Sequence, residues 1–204
     1  MFLVRKEQID LPLESCRRTC LPRRYWEATI AQIPDECSYK KVINKYCGRI
    51  YDAFREGIGL YLSGSAKSGK TAAAAIVGKA ALTHNATVYF TTAADMVRHH
   101  LDREMYDLDQ SVQERVDDVN MLILDDLGGE QQNSATNDIL QRVVRRVYHQ
   151  KRLLVLTTAL KPSQVKDFYG DDFHKTICSC TLGVSVNGDW AAHAQAQIKN
   201  FIEG

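Results

Sequence analysis

The sequence predicts an α/β fold, a parallel sheet layered between helices, and three observations carry that prediction. Short apolar runs alternate with longer amphipathic stretches along the chain. The run GSAKSGKT, Gly64 to Thr71, joins a strand-like stretch, Gly59 to Ser63, to an alanine-rich helical stretch, Thr71 to Leu82. The unbroken apolar run Met121-Leu122-Ile123-Leu124 ends in Asp125-Asp126, the pattern of a strand buried on both faces.

Composition bounds the answer before any motif is read. With 204 residues, 45% hydrophobic and 25% charged, the chain has the size and make-up of one globular domain and not of a disordered protein. Its net charge of +1 provides no global field for nucleic acid. The opening Met-Phe-Leu-Val is too short for a signal segment and no apolar run reaches a membrane span, so a cytoplasmic location is expected. The six cysteines lack paired C-x-x-C spacing, which makes reduced thiols the expectation; a metal site drawn from Cys16, Cys20, Cys37 and Cys47 is the alternative.

Each element has its own signal. Residues 1–34 hold three prolines, Pro12, Pro22 and Pro34, and the pairs Arg17-Arg18 and Arg23-Arg24; they are expected to form an extended, irregular arm ahead of a core over 35–204. Val42, Ile43, Tyr46, Ile50, Ala53 and Phe54 recur at helical spacing, which predicts one amphipathic helix from Ser38 to Glu56 that stops near Gly57. Thr87 to Phe90 reads as a second strand, followed by a helix opening near Thr92. A long helix carries Ile139, Leu140, Val143, Val144, Val147 and Tyr148 on one face, and Leu153 to Thr158 forms another buried strand. Pro162 suits the first turn of the next helix, which Gly170 interrupts. A strand near Ile177 to Val186 and a helix from about Asp189 close the chain.

The run Gly64 to Thr71 satisfies the phosphate-binding pattern G-x-x-x-x-G-K-[ST]. Wrapping a polyphosphate takes glycines where backbone meets oxygen, a lysine between phosphates and a hydroxyl on Mg2+. Gly64, Ser65, Ala66, Lys67, Ser68, Gly69, Lys70, Thr71 and Ala72 are therefore the expected nucleotide contacts, with ATP and Mg2+ as ligands. The strand ahead of Asp125 delivers that carboxylate to the sheet's C-terminal edge, where it is expected to hold Mg2+ with Thr71. Asp126 can polarise the attacking water, or stand as a solvated loop carboxylate. Thr157 and Thr158 end a strand where a hydroxyl can meet the γ-phosphate, although threonine also suits strands intrinsically.

These blocks together resemble the AAA+ ATPases of the DnaC/DnaI helicase-loader and IstB transposition-helper group. LPRRYWEATIAQIP is similar to that group's leading segment, GLYLSGSAKSGKT to its P-loop strand, VYFTTAADMV to its second strand and helix, and LILDDLGGE to its Walker B signature. The resemblance implies a three-layer P-loop NTPase core with a five-stranded parallel sheet in the order 5-1-4-3-2, and nucleotide sandwiched between self-associating subunits. It implies a replicative DNA helicase and single-stranded DNA as partners, the latter through Arg98, His99, His100 and Arg103, a stretch whose alternative reading is a solvated charge run. Tyr25 would border the adenine, unless its segment is a hydrophobic staple over the core.

The departures from the group's pattern bear on turnover. Ser65 and Lys67 replace a proline and the middle glycine of the family loop, and Ala159 replaces the usual sensor asparagine, leaving Thr158 as a substitute. Lys175 and Thr176 stand where the group has its arginine finger, with Arg145 and Arg146 as alternative interface charges or, more simply, part of a solvated helix face. Slow hydrolysis is expected, and no separate helicase-binding module is expected ahead of the core. A transposition helper and a non-hydrolysing nucleotide-dependent scaffold are the alternative readings.

Overall fold

The computed structural model describes residues 13–106, 112–188 and 190. Its centre is an all-parallel sheet of five strands, β1 (Gly59–Ser63), β2 (Val88–Thr92), β3 (Met121–Leu127), β4 (Leu153–Thr158) and β5 (Thr181–Ser185). Their spatial order is β2-β3-β4-β1-β5, the order the resemblance implied. Crossover helices cover both faces, so the inner strands read as continuous apolar runs rather than alternating ones.

Side-chain alternation along these strands divides the core in two. Leu60, Leu62, Phe90, Ile123 and Val155 face one layer, formed by α2 (Ser38–Gly48), α3 (Ile50–Glu56) and α4 (Lys70–Leu82). Tyr61, Tyr89, Leu122, Leu124, Leu154 and Leu156 face the other, with α5 (Ala93–Tyr106), α7 (Ser134–His149), α8 (Pro162–Tyr169) and α9 (Asp171–Cys180). Two shorter helices are α1 (Leu13–Arg18) and α6 (Val112–Asp117). Asn133 opens α7 by accepting the Thr136 N–H at 2.8 Å.

Three expectations are corrected. The stretch Ser38 to Glu56 is two helices, because Arg49 leaves helical geometry at φ −120°, ψ 23° directly after Gly48. The arm is not wholly extended: it contains α1 and 3-10 turns at Arg23–Tyr25 and Ile30–Gln32. The final strand begins later than Ile177, because Phe173, Ile177 and Cys180 form the buried side of α9, a helical spacing that the β-branched residues after it had masked. The helix expected from Asp189 lies largely outside the described residues.

Two contacts fix the arm to the core. Thr19 accepts the outward N–H of Phe90 on β2 at 2.8 Å. From α4, the Lys79 ammonium donates to the carbonyls of Trp26 and Ala28 at 2.5 and 3.0 Å, and burial holds this lysine below its ordinary pKa. The arm is thereby docked on the helix that follows the loop Gly64 to Lys70. Lys79→Met removes both charge-assisted bonds and leaves two carbonyls to find new partners; a loss of about 1–3 kcal/mol in urea unfolding is expected.

Candidate functional site

The site lies at the C-terminal edge of the sheet, where β1 and β3 end beside the start of α4. Gly69 caps α4 at φ +104°, and a Cβ there would stand 3.0 Å from the Tyr39 hydroxyl. A side chain at Gly64 would fall 2.2 Å from the Val186 carbonyl oxygen. Both positions therefore require glycine, and the loop stays close to its supporting backbone. Lys67 adopts φ 63°, the left-handed region that glycine enters freely and other residues enter at a cost. The Ser68 hydroxyl is buried without a hydrogen-bond partner among the described residues, while Ser65 accepts the Ser68 N–H at 3.3 Å.

Lys70 turns back across the loop, donating to the carbonyls of Gly64 at 2.9 Å and Ser65 at 2.7 Å. Burial lowers its pKa, against the opposing pull of Asp126 and Asp125. Thr71 donates to both Asp125 oxygens, at 3.0 and 3.2 Å. On its other side the Asp125 carboxylate accepts the Thr157 hydroxyl at 2.6 Å, and Thr157 in turn accepts the Asp126 N–H at 2.9 Å. One carboxylate thus joins α4, β3 and β4. Asp125 is only 8% exposed, and burial raises its pKa despite the two hydroxyl donors.

Asp126 is exposed and sits at φ 56°. The β3–β4 register shifts between Leu124 and Leu127, so a bulge turns this side chain out of the strand's regular alternation. Ala72 is buried in the first turn of α4. Tyr25 packs its ring against the α4 side of the core, has Arg24 over its ring at 5.4 Å, and turns its hydroxyl toward Thr71 within reach of the Asp125 charge.

Thr158 does not join this cluster. Its fully buried hydroxyl donates to the Leu127 carbonyl at 2.6 Å and accepts the Leu160 N–H at 3.0 Å. Neighbouring residues on a strand face opposite sides, so Thr157 is the member of the pair that meets Asp125. Lys175 is ion-paired with Asp171 at 2.5 Å, and Arg145 and Arg146 are paired with Asp172 and Asp117. Arg98 pairs with Asp95 at 2.6 Å and His100 contacts Arg142; the Arg103 side chain lies outside the described residues. The cysteines are free, and among the described residues no three His, Cys, Asp or Glu side chains converge to hold an ion, which corrects the four-cysteine alternative. Among the described residues, no helix is long and apolar enough to cross a membrane.

The donor chemistry fits Mg2+ and a polyphosphate. Thr71 and Asp125 offer only hard oxygen ligands, and the loop leads into the N-terminal end of α4, which favours negative charge. Keeping Asp125 ionised in this buried position costs stability, so Asp125→Asn is expected to raise the thermal midpoint of the ligand-free chain at pH 7. Because the native pKa is raised, that advantage shrinks as pH falls through it toward the ordinary carboxylate value of 3.8. Thermal scans of both chains between pH 4 and 8 check the sign.

A crystal structure of the DnaC helicase loader is similar over 81% of this chain and 100% of its own, with 21% identity and a TM-score of 0.71. A structure of DnaI is similar over 83% of this chain and 96% of its own, at 18% identity and TM-score 0.67. The replication initiator DnaA bound to AMPPCP and single-stranded DNA aligns with 82% of this chain and 51% of its own, at 16% identity and TM-score 0.68. At these identities the likeness establishes the fold. No curated protein sequence matches. The profile of the IstB-like ATP binding proteins matches residues 51–179, more than half of the chain, and the chain therefore belongs to the IstB-like ATP-binding family.

Proposed function

We propose that this protein binds ATP with Mg2+ on Gly64–Ala72 and hydrolyses it, acting in DNA replication as a helicase-loader-like factor. The observation that carries the reading is the Asp125 carboxylate, held between Thr71 and Thr157 below the Lys70 loop while Asp126 stands exposed on the next residue. In this reading Mg2+, when bound, neutralises phosphate charge. Lys70 exchanges its two loop carbonyls for phosphate oxygens. Thr71 and Asp125 orient the metal side, and Asp126 accepts a proton from the attacking water. Tyr25 closes the arm over the Thr71 side. Ala159 contributes no polar sensor and Lys175 is occupied by Asp171, which supports slow turnover.

The loader role draws on the likeness to DnaC and DnaI. In this role ATP-bound chains self-associate and engage a replicative helicase and single-stranded DNA. A transposition helper is the second reading, favoured by the IstB-like family match. Hydrolysis itself separates both from a nucleotide-dependent scaffold.

Lys70→Ala is expected to weaken ATP binding about 10- to 100-fold, from the loss of about 1.5–3 kcal/mol in charged hydrogen bonds, as measured by titration calorimetry. Unchanged affinity would place the nucleotide elsewhere. Asp126→Asn should retain binding and lose about 10²- to 10⁴-fold in turnover, read by phosphate release. For the partner, ATP-loaded protein is expected to co-purify with a hexameric replicative helicase and to shift labelled single-stranded DNA. Retention of a transposase and duplex DNA instead would select the second reading.

A further inference from the structure

Among the described residues, the ATPase reading leaves one buried acid unused. Glu130 is 7% exposed, and its carboxylate is held by three neutral donors. The Gly128 N–H reaches Oε2 at 2.9 Å, the Gln132 Nε2 reaches Oε1 at 2.8 Å, and the Tyr169 hydroxyl also donates to Oε1. A buried carboxylate balanced by neutral groups alone is costly as a source of stability, which makes the geometry it enforces the more informative property.

That geometry converges on Asp126. Gly128 sits at φ +97°, and a Cβ there would meet the Leu160 side chain at 2.9 Å, so the turn is built on glycine. The next N–H, from Gly129, donates to the Asp126 carbonyl at 3.0 Å. The Asp126 carboxylate lies over the same residue, with Oδ2 2.4 Å from where a Gly129 Cβ would stand. Fixing Gly128 therefore fixes the backbone against which the Asp126 side chain is laid. At the other end, Tyr169 is the last residue of α8 and its ring lies 4.7 Å from that of Phe173 on α9. Glu130 ties the acidic turn to a rigid helix corner.

We propose that Glu130 is a positioning residue for Asp126: through the Gly128 N–H it holds the turn that aims the Asp126 carboxylate at water. The role rests on the ATPase reading above. Turnover and ATP affinity would be measured separately for the full chain and for Glu130→Ala, Glu130→Gln and Tyr169→Phe, each with a thermal midpoint.

Glu130→Ala is expected to lose between about 10- and 100-fold in kcat, the scale of a misplaced reacting group, with ATP affinity within twofold of the parent. Glu130→Gln keeps an oxygen for the Gly128 N–H and should recover most of the rate. Tyr169→Phe should shift kcat in the same direction by less, and it carries the test if the alanine variant does not fold. Parental turnover in Glu130→Ala, an affinity that falls in step with the rate, or a glutamine variant no better than alanine each overturns the proposal while leaving the ATPase reading intact. ATP binding without turnover in the parent chain removes the ATPase reading, and the role of Glu130 with it.

Discussion

The hydrogen-bonded carboxylate of Asp125 is the constraint on which the site depends. Burial works against its charge, and the hydroxyls of Thr71 and Thr157 offset that cost only in part. Those donors come from the helix after the loop and from the neighbouring strand, so satisfying this one acid aligns α4, β3 and β4 at their ends. Thr157 adds a second link by accepting the Asp126 N–H. The bulge that separates the two acids is thus supported by the same hydroxyl that supports the first of them. Charge held at the edge of a sheet in this way favours a cation, which is the electrostatic logic of a phosphate site.

The architecture was legible because its signals are local and strong. The apolar runs at Leu60, Leu122 and Leu154 could only be doubly buried strands once helices of the right length separated them. The loop announced itself by four fixed positions, and the observed φ at Gly69 shows why glycine is one of them. The strand order came from the resemblance; nothing in the spacing of a single sequence determines which edge a strand joins.

Other features could not be read in advance because they depend on phase and on distant partners. Whether Thr157 or Thr158 meets Asp125 turns on the alternation at the end of β4 and on the register shift in β3. The break at Arg49 interrupts a hydrophobic periodicity that continues almost in phase across it. Glu130 carried no signal beyond its place in the Walker B block, since Tyr169, which makes it interpretable, lies 39 residues away. Lys79 likewise carries no signal in the sequence, since the Trp26 and Ala28 carbonyls that it binds lie 53 and 51 residues away.

The bond between Thr19 and Phe90 has a consequence for how the sheet meets other chains. β2 forms one margin of the sheet, and an unpaired strand margin is a template for any passing extended segment. Thr19 occupies the Phe90 N–H on that margin, so the arm acts as a guard against uncontrolled strand addition there. The opposite margin is β5, where Leu182 is 48% exposed. At the β2 margin, edge-to-edge association is thereby disfavoured.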